Sequence, residues 1–128
     1  MNCLLDTHTL LWYLQNSENL SDRATEILED VNNNLSVSIA SLWEISIKLG
    51  LGKLRLQKSF SELEEVFQQL KIGVLPITFA DTEFYLSLPL HHRDPFDRIL
   101  VAQAMNYRLV LISRDSAFDA YSIHRVWW

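Results

Sequence analysis

Four acidic residues, Asp6, Glu44, Asp97 and Asp115, stand where a carboxylate is useful for chemistry and hard to explain by packing alone. Asp6 directly follows the apolar run Cys3-Leu4-Leu5, and Asp115 follows the run that ends at Ser113. Asp97 shares a helical face with Leu100, Val101 and Ala104, an apolar stripe on which an acid needs a reason. Glu44 lies within Ser41-Leu42-Trp43-Glu44-Ile45-Ser46-Ile47-Lys48, on a helical face with Ala40, Ile47 and Lys48. Carboxylates gathered at the edge of a core repel one another unless protons or a cation compensate. A hard divalent cation is their natural partner, and donors made of oxygen alone suit Mg²⁺ or Mn²⁺ rather than Zn²⁺. His8 and the pair His91-His92 do not show zinc-ligand spacing and read as loop or substrate-contact residues.

Each acid also has a structural alternative. Asp6 and Asp115 would serve equally as N-caps of the helices that follow them. Glu44 with Lys48 forms an i,i+4 pair worth roughly 0.2–0.5 kcal/mol on a helix surface. A helix starting at Pro95 makes Asp94 its N-cap and puts Asp97 in the first turn, where a carboxylate suits the helix dipole. That accounts for Asp94, which is assigned to capping, but not for the inward face of Asp97.

The elements that must position these residues alternate between two periodicities. Short apolar runs at Cys3–Leu5, Leu35–Ser38, Val74–Ile77, Leu109–Ser113 and Ile123–Trp127 read as strands. Helical patterns fall at Thr9–Gln15, Ser21–Val31, Ile39–Leu49, Phe60–Leu70, Ala80–Leu88, Pro95–Tyr107 and Ser116–Tyr121. This alternation predicts an α/β fold with a mostly parallel sheet of about five strands flanked by helices on both faces. Sites in such sheets form at the carboxyl ends of strands, which is where the pattern puts Asp6 and Asp115.

Composition sets the outer bounds. At 128 residues, with 48% hydrophobic and 21% charged residues, the chain reads as one folded domain over 1–128 rather than a disordered segment. Its apolar runs fall far short of the roughly 18 residues of a membrane span, so a soluble, cytoplasmic protein with no membrane partner is expected. The single cysteine, Cys3, rules out an intrachain disulfide and reads as a small buried hydrophobe. A net charge of −5 argues against a general nucleic-acid-coating protein. It leaves a nuclease open, because a loaded acidic site reverses part of its own charge.

Four segments, in order, resemble the motifs of PIN-domain ribonuclease toxins of the VapC type, from bacterial toxin–antitoxin pairs. They are Leu4-Leu5-Asp6-Thr7-His8-Thr9-Leu10-Leu11-Trp12, then Ser41-Leu42-Trp43-Glu44-Ile45 with Lys48 and Gly52-Lys53-Leu54. His92-Arg93-Asp94-Pro95-Phe96-Asp97-Arg98-Ile99-Leu100-Val101-Ala102-Gln103-Ala104 and Ser113-Arg114-Asp115 follow. The resemblance implies that Asp6, Glu44, Asp97 and Asp115 bind Mg²⁺ or Mn²⁺, with Ser113 and Asp94 in support. It also implies hydrolysis of RNA phosphodiester bonds, a homodimer and a cognate antitoxin protein.

Basic residues beside these motifs are the expected phosphate contacts: Lys48, and above all Arg93 and Arg98. Trp12, Tyr13, Leu14, Leu20 and Ile27 offer apolar surface for an antitoxin segment, with core packing as the competing role. Two other readings stand beside the nuclease. One is a non-catalytic binding module on the same fold. The other is a metal-dependent phosphatase or receiver-like domain, which also places aspartates at strand ends. For the phosphatase, a second Asp two residues after Asp6 is missing; His8 stands there.

Overall fold

The computed structural model describes residues 1–128. Five strands, β1 (Asn2–Leu5), β2 (Asn34–Ser38), β3 (Ile72–Leu75), β4 (Val110–Ile112) and β5 (His124–Val126), form one sheet in the order β3-β2-β1-β4-β5. Every neighbouring pair is parallel. Six α-helices supply the connections: α1 (Thr7–Leu14), α2 (Asp22–Glu29), α3 (Ile39–Gly50), α4 (Leu63–Leu70), α5 (Phe79–Ser87) and α6 (Pro95–Tyr107). Two short 3₁₀ turns, Phe60–Glu62 and Ser116–Ala120, complete the chain.

The central strands are apolar on both sides because both sides are covered. Leu5, Val37 and Ile112 pack with Leu10, Ile27, Ile45 and Phe67 on one face, while Leu4 and Leu111 pack with Leu100, Val101 and Phe118 on the other. The period-two alternation of β1 thus sends Leu4 and Leu5 into opposite halves of the core.

Most elements lie where the periodicity puts them, and α6 begins and ends at the expected residues. Strand β3 does not. The sequence reading starts it at Val74, whereas it runs from Ile72, paired with Leu35. The helix before it is closed by Lys71 in the left-handed conformation at φ 56°, a position usually marked by glycine or asparagine, and Gly73 interrupts the apolar run inside the strand. The stretch after Ser59 is also divided, into a 3₁₀ turn and then α4.

Topology decides where a site can form. From β1 the chain winds outward to β2 and β3 on one side, then crosses to β4 and β5 on the other. The carboxyl ends of β1 and β4 are therefore adjacent at the point where strand order reverses, the usual location of a crevice in open α/β sheets. Leu5 and Ile112, the last residues of these strands, are register partners. No helix is long and apolar enough to cross a membrane.

Candidate metal centre

Asp6 follows Leu5 and is itself the N-cap of α1, its Oδ1 accepting from the Thr9 amide at 2.8 Å. Its other oxygen, Oδ2, accepts a hydrogen bond from the Ser113 hydroxyl just past the end of β4. Capping therefore occupies only one oxygen. Asp6 is 7% exposed and Ser113 fully buried, so both are set by the sheet rather than by solvent. The same Ser113 Oγ accepts from the Asp115 amide at 3.1 Å, which ties the last of the four acids to the first.

Glu44 enters from α3. Thr7 Oγ1 donates to its Oε1 at 2.7 Å, and Lys48 Nζ lies 3.1 Å from its Oε2. The i,i+4 pair read from the sequence is formed, but it uses only one oxygen of a half-buried carboxylate. Thr7, buried beside Asp6, holds the other. This threonine was not singled out in the sequence; its place directly after Asp6 was the available signal.

Asp94 caps α6, its Oδ1 accepting from the Phe96 amide at 2.8 Å. One turn on, Asp97 is half-buried. Loss of hydration pushes its pKa up to about 6, and the negative charges of Asp94, Glu44 and Asp6 add to the rise while His92 opposes it. That three other acids act on Asp97 puts the carboxylates of β1, α3 and α6 in one electrostatic neighbourhood.

Asp115 caps the 3₁₀ turn through Oδ1, which accepts from the Ala117 amide at 3.0 Å. Its Oδ2 lies 3.6 Å from His92 Nε2. Ligand atoms of His92, Asp97 and Asp115 all fall within 4.8 Å of one another. His92, read from the sequence as a loop or substrate-contact residue, is thus a member of the cluster, and the donor set is not made of oxygen alone. Adjacent histidines in a loop gave no periodicity from which this could be read.

The basic residues separate. Lys48 is engaged with Glu44. Arg93 is exposed beside the cluster's loop. Arg98 corrects the sequence reading: it is 8% exposed, with its guanidinium 3.1 Å from the Pro89 carbonyl, 3.5 Å from the Tyr85 carbonyl and 4.7 Å above the Tyr85 ring. These contacts and its burial turn the guanidinium toward α5 and away from the surface a phosphate would approach. Arg114, passed over in the sequence except as part of a motif, instead lines an open cleft with Asp6, His8, Trp12 and Asp115.

The donors suit a divalent cation: carboxylates that repel one another, held in place by hydrogen bonds and ion pairs, and a buried imidazole nitrogen without a partner.

Comparison with known proteins agrees with this architecture. Solved structures of like fold include VapBC2 from Rickettsia felis bound to a promoter DNA fragment (TM-score 0.74, 14% identity, 100% of both chains covered). VapBC-1 from nontypeable Haemophilus influenzae is similar (TM-score 0.68, 19% identity, 100% of this chain and 98% of the other). So is a toxin-antitoxin complex from Klebsiella pneumoniae (TM-score 0.63, 20% identity, 97% and 95% covered). No curated protein matches the sequence. The family model of the PIN domain matches residues 3–123, nearly the whole chain, and the chain belongs to the PIN domain family.

Proposed function

We propose that this chain is a metal-dependent endoribonuclease of the VapC type, the toxin of a toxin–antitoxin pair, acting in the cytoplasm with residues 1–128 as its nuclease domain. The observations that support the proposal are the Ser113 link between Asp6 and Asp115 at the ends of β1 and β4, the approach of Asp97 to Asp115 within 4.8 Å, and the negative charges of Asp6 and Glu44 that act on Asp97. Asp6, Glu44, Asp97 and Asp115 would hold Mg²⁺ or Mn²⁺. Such a cation, when bound, supplies Lewis-acid stabilisation of phosphoryl charge and an activated water.

The chain's own residues do the positioning. Ser113 and the Thr9 amide fix both oxygens of Asp6, and Thr7 with Lys48 fixes both of Glu44. Asp94 and Asp115 set the starts of α6, in whose first turn Asp97 lies, and of the 3₁₀ turn after β4. Arg93, Arg114 and Lys48 are the proposed phosphate contacts; Arg98 serves α5–α6 packing instead.

An antitoxin partner is supported by the like-folded toxin–antitoxin structures and by an apolar groove between α1 and α4, lined by Tyr13, Leu14, Leu56, Leu63, Val66 and Leu70. Of the apolar residues considered for this role, Ile27 is excluded, being 2% exposed in the core. A homodimer is proposed on the apolar surface that Trp43 forms with Ile77 and Phe96.

Cleavage of structured RNA by the purified protein, with and without Mg²⁺ or Mn²⁺, tests the proposal. Asp6→Asn is the matched control, since asparagine keeps an oxygen for the Thr9 amide and with it the helix cap. Wild-type activity that depends on the cation and is lost in the variant is expected. Cleavage that survives chelation or Asp6→Asn overturns it, and absence of divalent binding with an intact fold favours a binding module.

A further inference from the structure

His92 is built into the structure more firmly than a loop residue needs to be. Its side chain is 10% exposed, its ring stacks on Phe118 at 4.8 Å and 23°, and a second near-parallel ring, Tyr121, lies at 5.5 Å. The Tyr121 hydroxyl receives the His92 backbone N–H at 2.9 Å and stands 3.3 Å from Nδ1. All of this fixes one edge of the imidazole. The opposite edge carries Nε2, which is buried, makes no hydrogen bond, and faces Asp115 Oδ2 at 3.6 Å with Asp97 in the same 4.8 Å cluster.

Leaving a polar atom buried without a partner is costly. The aromatic clamp nevertheless holds Nε2 facing two carboxylates. An imidazole that binds a cation characteristically donates its other ring N–H to a fixed acceptor, which sets the tautomer and leaves the free lone pair aimed at the ion. Tyr121 Oη stands in that position relative to Nδ1.

We propose that His92 Nε2 is a direct cation ligand, making with Asp97 and Asp115 a mixed nitrogen–oxygen position within the proposed centre, and that Tyr121 positions the ring. This rests on the metal-dependent reading above and extends it to the choice of ion. Replacing one hard oxygen donor by imidazole favours Mn²⁺ and later first-row cations over Mg²⁺, because Mg²⁺ gains least from nitrogen.

The test is pulsed electron paramagnetic resonance of the full-length protein loaded with Mn²⁺, with Mn²⁺ and Mg²⁺ affinities measured by calorimetry. Modulation from a directly bound imidazole ¹⁴N is expected in the wild type and absent in His92→Gln. The same variant should lose at least about tenfold in Mn²⁺ affinity while Mg²⁺ affinity changes much less. Tyr121→Phe should keep the nitrogen signal with weakened Mn²⁺ binding. Circular dichroism confirms that each variant is folded, and His92→Asn is the second variant should the glutamine fail to fold.

Mn²⁺ bound without nitrogen modulation overturns the assignment while leaving the carboxylate centre standing. Modulation that survives His92→Gln overturns it in favour of another histidine, His8 being the one that lines the cleft. Failure of the folded wild type to bind Mn²⁺ overturns both this inference and the metal-dependent reading.

Discussion

Ser113 donates its hydroxyl to Asp6 Oδ2 and accepts the Asp115 amide on the same oxygen, so one buried side chain at the end of β4 links two acids that are 109 residues apart in number. The fully buried hydroxyl is satisfied on both sides, and its removal leaves a carboxylate oxygen and an amide without their partner. Ser113→Ala is expected to lower stability by about 1–3 kcal/mol. It should also weaken Mn²⁺ binding by roughly 10–100-fold, the usual effect of losing a group that orients a ligand. Urea denaturation and calorimetry on the same preparations check both; Ser113→Thr should recover more of the affinity than Ala.

Asp97 gives the metal-free protein a pH dependence of definite sign. Its carboxyl has an ordinary value of 3.8 and is pushed up to about 6 by burial, by Asp94, Glu44 and Asp6, against the opposing effect of His92. Since the fold raises this pKa, the uncharged form is preferred, and the cost of ionisation grows as the pH rises from 3.8 through 6. Asp97→Asn is expected to melt higher than the wild type at pH 7 without divalent cations, and close to it at pH 4. Saturating Mn²⁺ should reverse the order at pH 7. Thermal melts across this range decide it; a difference independent of pH would refute it.

The two arginines that flank Asp94 and Asp97 should separate cleanly. Arg98→Ala removes two carbonyl contacts and a cation–π contact from a buried guanidinium, and a loss of about 2 kcal/mol or more in urea unfolding is expected. Arg93→Ala should stay within about 0.5 kcal/mol of the wild type. Its effect should appear instead as weaker RNA binding and a shallower salt dependence, measured in an Asp6→Asn background that does not cleave.

An acid away from the proposed centre supplies the contrast. Asp81, fully buried in the first turn of α5, completes the capping box with Thr78 and accepts from Thr78 N at 2.9 Å, Gln103 Nε2 at 3.1 Å and Asn106 Nδ2 at 2.8 Å. Burial alone would raise its pKa, but these hydrogen bonds outweigh it and hold the carboxyl below the ordinary 3.8. A lowered folded pKa contributes stability above the unfolded value and loses it as the pH falls through the folded one. Asp81→Ala is therefore expected to cost at least about 2 kcal/mol at pH 7, with the gap narrowing in acid and no change in Mn²⁺ affinity. Denaturation at pH 7 and pH 3 measures the first two, calorimetry the third.

The contrast between Asp81 and Asp97 marks where sequence reading stops. Both are acids in the first turn of a helix, yet Asp81 is surrounded by donors that favour its charge and Asp97 by acids that oppose it. Asp97 is legible in the chain because its neighbours at helical spacing are apolar. Asp81 is not, because its donors come from residues more than twenty positions away on α6.

By itself the sequence determined the α/β alternation, the buried central strands, the cap at Asp94 and the four carboxylates worth watching, since periodicity, capping and apolar runs are local. Tertiary structure decided what those residues face. It started β3 at Ile72 through a non-glycine left-handed cap, turned Arg98 into the α5–α6 packing, and swung His92 from a loop onto Phe118 and Tyr121. The physical reason is shared by all three. Each outcome depends on which partners the sheet order β3-β2-β1-β4-β5 and its covering helices bring close, and no spacing along the chain encodes that.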